Sequence, residues 1–220
     1  MDGADFVRER VGGILHYGFE IAGRYFEFLG YSQSQLRAHS MFAVSPFYHP
    51  EKGLVTAASI RAELGIFDDI LHFPALYAAR VSQAFSGTED SVSLTPDQWD
   101  EMEDIKHNCR CFTDGVGTIS TDLATLVWEE LCEQRGKTHD GPFVPVAFQI
   151  RFGGYKGMVV VDPSLIGIRM RLRPSMRKFH VHDSPSIPLE ISRAFEYPGR
   201  MYLNRYVCGY FSVICCLILL

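Results

Sequence analysis

Residues 146–173 read VAFQIRFGGYKGMVVVDPSLIGIRMRLR, and this stretch decides the fold class. Val146, Phe148, Ile150 and Phe152 alternate with Ala147, Gln149 and Arg151, the two-residue period of a strand with one buried face. Gly153-Gly154 then breaks the chain, and GMVVVD (157–162) is a continuous apolar run suited to a buried strand. Ile166, Ile168, Met170 and Leu172 alternate with Gly167, Arg169, Arg171 and Arg173, which predicts a third strand with one apolar face and one arginine face. Strands of this density point to a compact β-rich, barrel-like domain.

Upstream of the strands, residues 121–135 form an amphipathic helix. Leu123, Leu126, Val127, Glu130 and Leu131 fall at helical spacing, and Gly136 ends it. CFTDGVGTIS (111–120) reads as a turn-rich strand pair. Before Asn108 the character is different. YGFEIAGRYFEFLGY (17–31) predicts a hairpin turning near Ala22-Gly23. Short helices are expected over 32–39, over 56–64 capped by Thr56 and stopped by Gly65, and over 75–85 after Pro74. Thr95-Pro96-Asp97-Gln98 is a capping box that predicts a helix to about Lys106. The expected organisation is α+β. Residues 1–108 form a mostly helical approach region with a hairpin, 109–205 a β-rich barrel-like domain, and 206–220 an apolar tail.

At about 150 residues per domain, 220 residues suggest one or two domains. The 47% hydrophobic and 13% aromatic content exclude disorder as the main state. The net charge of −5 does not by itself suggest nucleic acid, but the charge is uneven. The window 151–180 holds seven basic residues against Asp162 alone, so it carries +6 while the remainder carries −11. Such asymmetry points to an anionic partner for one segment. The six cysteines form no CxxC pair, and MDGADFVRER is unlike a secretory leader, so a reducing, intracellular setting (nucleus or cytoplasm) is expected. The tail YVCGYFSVICCLILL is uncharged, but its 15 residues fall short of the roughly 20 needed to cross a bilayer. Membrane attachment is therefore not expected.

Standard phosphate-loop, nucleophile-elbow, zincin and dinucleotide fingerprints are absent. His180-x-His182-Asp183 lacks the further ligand a metal site requires, and Cys109-x-Cys111 reads as two small strand residues. Asp114-Gly115 is a turn pair. Asp68-Asp69 and Glu101/Glu103/Asp104 read as carboxylates on helix ends or faces. In RFGGYKG (151–157) a glycine-bracketed Lys156 lies on a strand-connecting loop, where backbone can approach a ligand closely. An ordinary hairpin turn explains the same residues. Arg169, Arg171 and Arg173 suit either a track for successive phosphates or the charged side of an edge strand.

With these residues in view, the sequence resembles the eukaryotic cell-encoded RNA-dependent RNA polymerases of RNA silencing. The stretches that carry the resemblance are GRYFEFLGYSQSQLRAH (23–39), PALYAARVSQAFSGT (74–88), FTDGVGTIS (112–120), AFQIRFGGYKGMVVVD (147–162), LRPSMRKF (172–179) and LEISRAFEYPGRMYLNR (189–205). The resemblance implies a core of two double-psi β-barrels, with residues 109–180 in the first and a helical approach before it. It implies RNA and nucleoside triphosphates as partners and RNA-directed nucleotidyl transfer as the parent reaction. Lys156 and Lys178 match the family's phosphate-contacting lysines, with Arg177 able to share the role of Lys178. Arg151 and the 169/171/173 arginines complete the expected phosphate-binding set. The family's Asp-x-Asp-Gly-Asp loop, which holds Mg²⁺, does not occur here. The chain is expected to be a truncated member that binds no metal and is inactive alone. A non-catalytic RNA-binding module is the alternative.

Overall fold

The computed structural model describes residues 3–136 and 143–196. The tail 206–220, the end of the 109–205 segment and Cys208, Cys215 and Cys216 lie outside the described residues. In chain order the elements are helix α1 (Gly3–Tyr17), strands β1 (Phe19–Ile21) and β2 (Arg24–Gly30), helix α2 (Gln33–Arg37), strands β3 (Phe42–Val44), β4 (Phe47–His49) and β5 (Gly53–Val55), and helices α3 (Ala57–Glu63) and α4 (Pro74–Ala84). Next come β6 (Glu89–Leu94), β7 (Trp99–Glu101), β8 (Lys106–His107), β9 (Arg110–Cys111), β10 (Val116–Ile119), α5 (Thr121–Gln134), β11 (Ala147–Phe152), β12 (Tyr155–Val161), β13 (Met170–Leu172) and β14 (Ile187–Ala194). Among the described residues no helix is long and apolar enough to cross a membrane.

Several elements form for the local reasons foreseen. The β1–β2 hairpin turns through Ala22 and Gly23, both with positive φ, as a two-residue turn requires. Thr56 caps α3 by accepting from the Ser59 amide at 3.2 Å. Ser120 caps α5 by accepting from the Leu123 amide, also at 3.2 Å.

The centre of the molecule is a seven-stranded sheet in the order β6-β14-β11-β12-β10-β13-β7, curled into a half-barrel. β10–β12 and β13–β7 pair in parallel, and the other neighbours are antiparallel. Helix α5 lays Leu123, Val127 and Leu131 on the concave core beside Phe148, Ile150, Phe152 and Val159, all essentially inaccessible to water. Burying each such side chain contributes ~2 kcal/mol, so this seam dominates the stability of the sheet.

Four expectations are corrected. The helix from Thr95 to Lys106 does not form. The capping box closes only one 3₁₀ turn, Pro96–Gln98, and β7 follows at once. There the Trp99 ring meets Phe152 and Tyr155 edge-on at 5.4 and 5.7 Å, while residues 99–101 pair with 170–172. Sheet pairing plus a buried aromatic cluster outweighs a helix-start signal. Consequently the stretch before residue 108 is not mostly helical: short strands alternate with its helices, and β6 and β7 belong to the main sheet.

The pair expected within 111–120 is not internal, since β9 pairs with β8, and β10 with β12 and β13. In the third place, β13 is shorter than predicted and is no edge strand. Ile166 is 90% exposed, and β13 lies between β10 and β7. Finally, α1 arises where no element was foreseen. It buries no residue, and Gly12-Gly13 weaken its intrinsic propensity.

Candidate functional site

The β11–β12 hairpin organises the site. Gly153 and Gly154 form its two-residue turn at φ 48° and 85°. A Cβ on Gly154 would lie 2.2 Å from the Phe179 carbonyl oxygen, and one on Gly157 would lie 2.2 Å from the Gly115 oxygen. The close backbone approaches that these glycines permit are therefore made by the chain itself, not by a ligand. Lys156 is also not on a loop. It is the second residue of β12, directly opposite Arg151 on β11.

That register creates a concentration of positive charge. The segment after β13 crosses the hairpin tip, and the Lys178 amide donates to the Gly154 carbonyl at 2.9 Å. The Lys178 ammonium donates to the Ser175 carbonyl oxygen. Half-buried Lys156 has no hydrogen-bond or ion-pair partner among the described residues. Burial first, then the charges of Arg151, Lys178 and Arg80, push its ammonium below the ordinary lysine range. Arg151 donates to the Ile150 carbonyl at 2.9 Å and more weakly to Ser86 Oγ at 3.4 Å. Burial lowers its pKa, and the charge of Glu190 opposes that shift. Beside this cluster lies an open groove of about 390 Å³, lined by Gln83, Arg151, Gly154, Phe179, Ile187 and Glu190 among others.

The remaining expected cations point elsewhere. Arg177 donates to Glu101 and, through Nε, to the Tyr155 hydroxyl at 3.0 Å, with its guanidinium 5.4 Å from the Tyr155 ring centre. The Tyr155 hydroxyl donates to Glu101 Oε1 at 2.5 Å, and burial followed by this bond pushes its pKa up to about 12. Successive residues 177 and 178 thus face opposite sides of the crossing segment. Arg169 donates to the Asp97 carbonyl at 2.6 Å, Arg171 to Asp100 Oδ2 at 3.2 Å, and Arg173 to the Glu103 carbonyl. All three acceptors lie on or beside β7, so the arginine face staples the sheet's last strand.

The acidic residues also depart from expectation. Glu101 anchors Arg177 and Tyr155, and Asp104 accepts from the Ser175 amide (2.9 Å), Ser175 Oγ (2.7 Å) and Thr113 Oγ1 (3.1 Å). Neither lies on a helix. Cys109 sits in the β8–β9 turn with positive φ rather than on a strand, and Cys111 is on β9. Among the described residues no three His, Cys, Asp or Glu side chains gather into a metal site, so the donor set here does not fit a divalent ion. The residue that sequence reading missed is Arg80 on α4. A single arginine on a short helix carries no pattern, and only the fold brings it toward Lys156.

A family model described as RNA dependent RNA polymerase matches residues 1–209. The chain is 38% identical over 212 residues to RNA-dependent RNA polymerase 6 of Arabidopsis thaliana, covering 95% of this chain and 16% of that protein. It is 35% identical over 210 residues to RNA-dependent RNA polymerase 1 of the same plant, covering 94% of this chain and 17% of that protein. The RNA dependent RNA polymerase QDE-1 from Thielavia terrestris superposes with a TM-score of 0.64 at 18% identity, over 90% of this chain and 22% of that one. That likeness speaks to fold alone. The chain spans about a sixth of the length of these curated relatives.

Proposed function

Because this chain belongs to the RNA-dependent RNA polymerase family, we propose that it supplies the phosphate-holding barrel of an RNA-directed RNA polymerase that makes double-stranded RNA for silencing. The parent reaction is template-directed: an RNA 3′-hydroxyl attacks the α-phosphate of a nucleoside triphosphate and pyrophosphate leaves. Lys156 and Lys178, with Arg151, hold phosphate oxygens of RNA or of the incoming nucleotide. A lysine suits this role as a mobile point charge. Arg169, Arg171, Arg173 and Arg177 contribute by fixing β7 and the crossing segment. Mg²⁺ belongs to another part of the enzyme, so this chain alone does not polymerise.

The seven-stranded half-barrel is read as the first double-psi barrel. Parallel pairing at β10–β12 and the tight crossings at Gly117 and Gly157 support that reading. In the proposed division, β6 and β7 count with the barrel, and the helices and small sheets before residue 88 form the approach to it. A nuclear or cytoplasmic setting fits the free thiols of Cys109, Cys111 and Cys132.

The single observation that carries the proposal is the unpaired Lys156 among three other cations. Titration of single-stranded RNA at increasing salt tests it. Affinity should fall steeply with salt, and Lys156→Ala should weaken binding of all sequences and lower the salt slope by about one. RNA binding indifferent to both salt and Lys156 would refute it.

A further inference from the structure

We propose that Arg80 of α4 completes a site for two adjacent phosphoryl groups, reaching from the sheet onto the helical layer. This rests on the phosphate reading of Lys156 and extends it to a residue on a different element. Arg80 has no hydrogen-bond or ion-pair partner among the described residues. Helical spacing puts it on the same face as Gln83 and Ala84, which line the groove together with Arg151. Ser86, just past the end of α4, touches the Arg151 guanidinium at 3.4 Å. The helix end is thus held against the strand that carries Arg151, and Lys156 stands opposite Arg151 in register. Arg80 is close enough for its charge to act on Lys156.

Charge balance sets the size of the ligand. Arg80, Arg151, Lys156 and Lys178 face one free carboxylate, Glu190, which also accepts from Thr88 at 2.8 Å. The other groove carboxylate, Glu63, is paired with Lys52 at 2.7 Å. Four cations and one carboxylate leave three positive charges without a partner. One phosphodiester carries a single negative charge and would leave the cluster strongly repulsive. Two neighbouring phosphoryl groups, as in a polyphosphate or a stretch of RNA backbone, neutralise it. Guanidinium groups bind such oxygens bidentately, which suits Arg80 and Arg151 to the second group.

The test uses the full chain with three probes: orthophosphate, inorganic tripolyphosphate and a short oligouridylate with a 5′-hydroxyl. Arg80→Gln should weaken tripolyphosphate or oligouridylate about ten-fold, while orthophosphate changes less than about two-fold. The polyanion that responds identifies the source of the phosphoryl pair. Arg80→Lys keeps the charge and should recover most of the affinity. If Arg80→Gln binds both polyanions like wild type while Lys156→Ala loses all three probes, the two-phosphate site is overturned and the phosphate reading stands. If neither substitution matters, both fall. Phenylglyoxal labelling of the unaltered chain needs no variant: tripolyphosphate or oligouridylate should protect Arg80, and unchanged labelling in the presence of each would overturn the site.

Discussion

Lys156 carries an unneutralised charge in the folded protein, half out of water and facing like charges. Such a residue serves binding at the expense of stability. Lys156→Met keeps the stem packing and removes the repulsion. It should raise stability in urea melts by ~0.5 kcal/mol, the scale of a partly screened like-charge contact, while abolishing the salt-sensitive component of RNA binding. Loss of stability on this substitution would mean that Lys156 has a hidden partner. Glu101 presents the opposite case. Burial would raise its pKa, but the hydrogen bonds from Arg177 and Tyr155 and the charge of Arg177 outweigh it and hold the carboxyl below its ordinary 4.5. A carboxylate so lowered stabilises the fold fully above that ordinary value, and the contribution is lost as pH falls through the lower, folded value. Wild type should therefore lose stability below about pH 4.5. Glu101→Gln should flatten that acid limb and cost ~1 kcal/mol at neutral pH, a figure reduced for the partial exposure of the pair. An unchanged acid limb would show that Glu101 is not held this way in solution.

At the scale of elements, the molecule depends on places where backbone crosses backbone. The β11–β12 turn lies under the Phe179 carbonyl, β12 passes beneath Gly115, and a Cβ on Gly117 would sit 2.4 Å from the Arg171 oxygen. Gly154 meets two demands at once, a φ of 85° and no room for a methyl group. Gly154→Ala should cost at least ~2 kcal/mol in denaturant melts, since a left-handed alanine and a backbone collision add. It should also move Lys178, whose amide bonds the Gly154 carbonyl, and so weaken RNA binding beyond the stability loss. A neutral Gly154→Ala would show that the crossing segment can lift away from the hairpin. The arginine staples on β7 belong to the same scale. Each carries modest energy at a partly exposed site, and together they align a three-residue strand that has no second neighbour.

For the whole molecule, surface chemistry matters most. Outside the sheet's core, Phe6, Val7, Tyr17, Ile21, Tyr48 and Ile166 are more than half exposed, an apolar surface spread over the approach region and the β12–β13 loop. The uncharged stretch 206–220 adds a Leu-, Ile- and Cys-rich segment with no gatekeeping charge. Deleting 206–220 should raise the soluble yield of the expressed chain and leave its melting temperature within a degree or two, and it should not confer polymerisation. A lower melting temperature after deletion would mean that the stretch packs into the fold. Carbonate-resistant membrane association that disappears on deletion would mean that it acts as an anchor.

Local signals in the sequence determined the elements whose causes are themselves local. The Ala22-Gly23 turn, the caps at Thr56 and Ser120, the α5 stripe and the alternation of Phe148, Ile150 and Phe152 depend only on neighbours a few residues away. The same residues, with the wider resemblance, determined the family and directed attention to Lys156 and Lys178. What only the tertiary structure decided depends on partners far along the chain. Thr95–Gln98 carries a sound helix-start signal, yet residues 99–101 become a strand because their partners 170–172 lie some seventy positions away. The arginines at 169, 171 and 173 have the same spacing whether they meet phosphates or the carbonyls and carboxylate beside β7, and pairing with β7 supplied the acceptors. Arg177 and Lys178 read alike in sequence, but adjacent residues of an extended segment face opposite sides, and only one faces Lys156. Arg80 joins the cluster because α4 packs where it does. Charge convergence is a property of distances in space, and a linear pattern of residue types does not contain those distances.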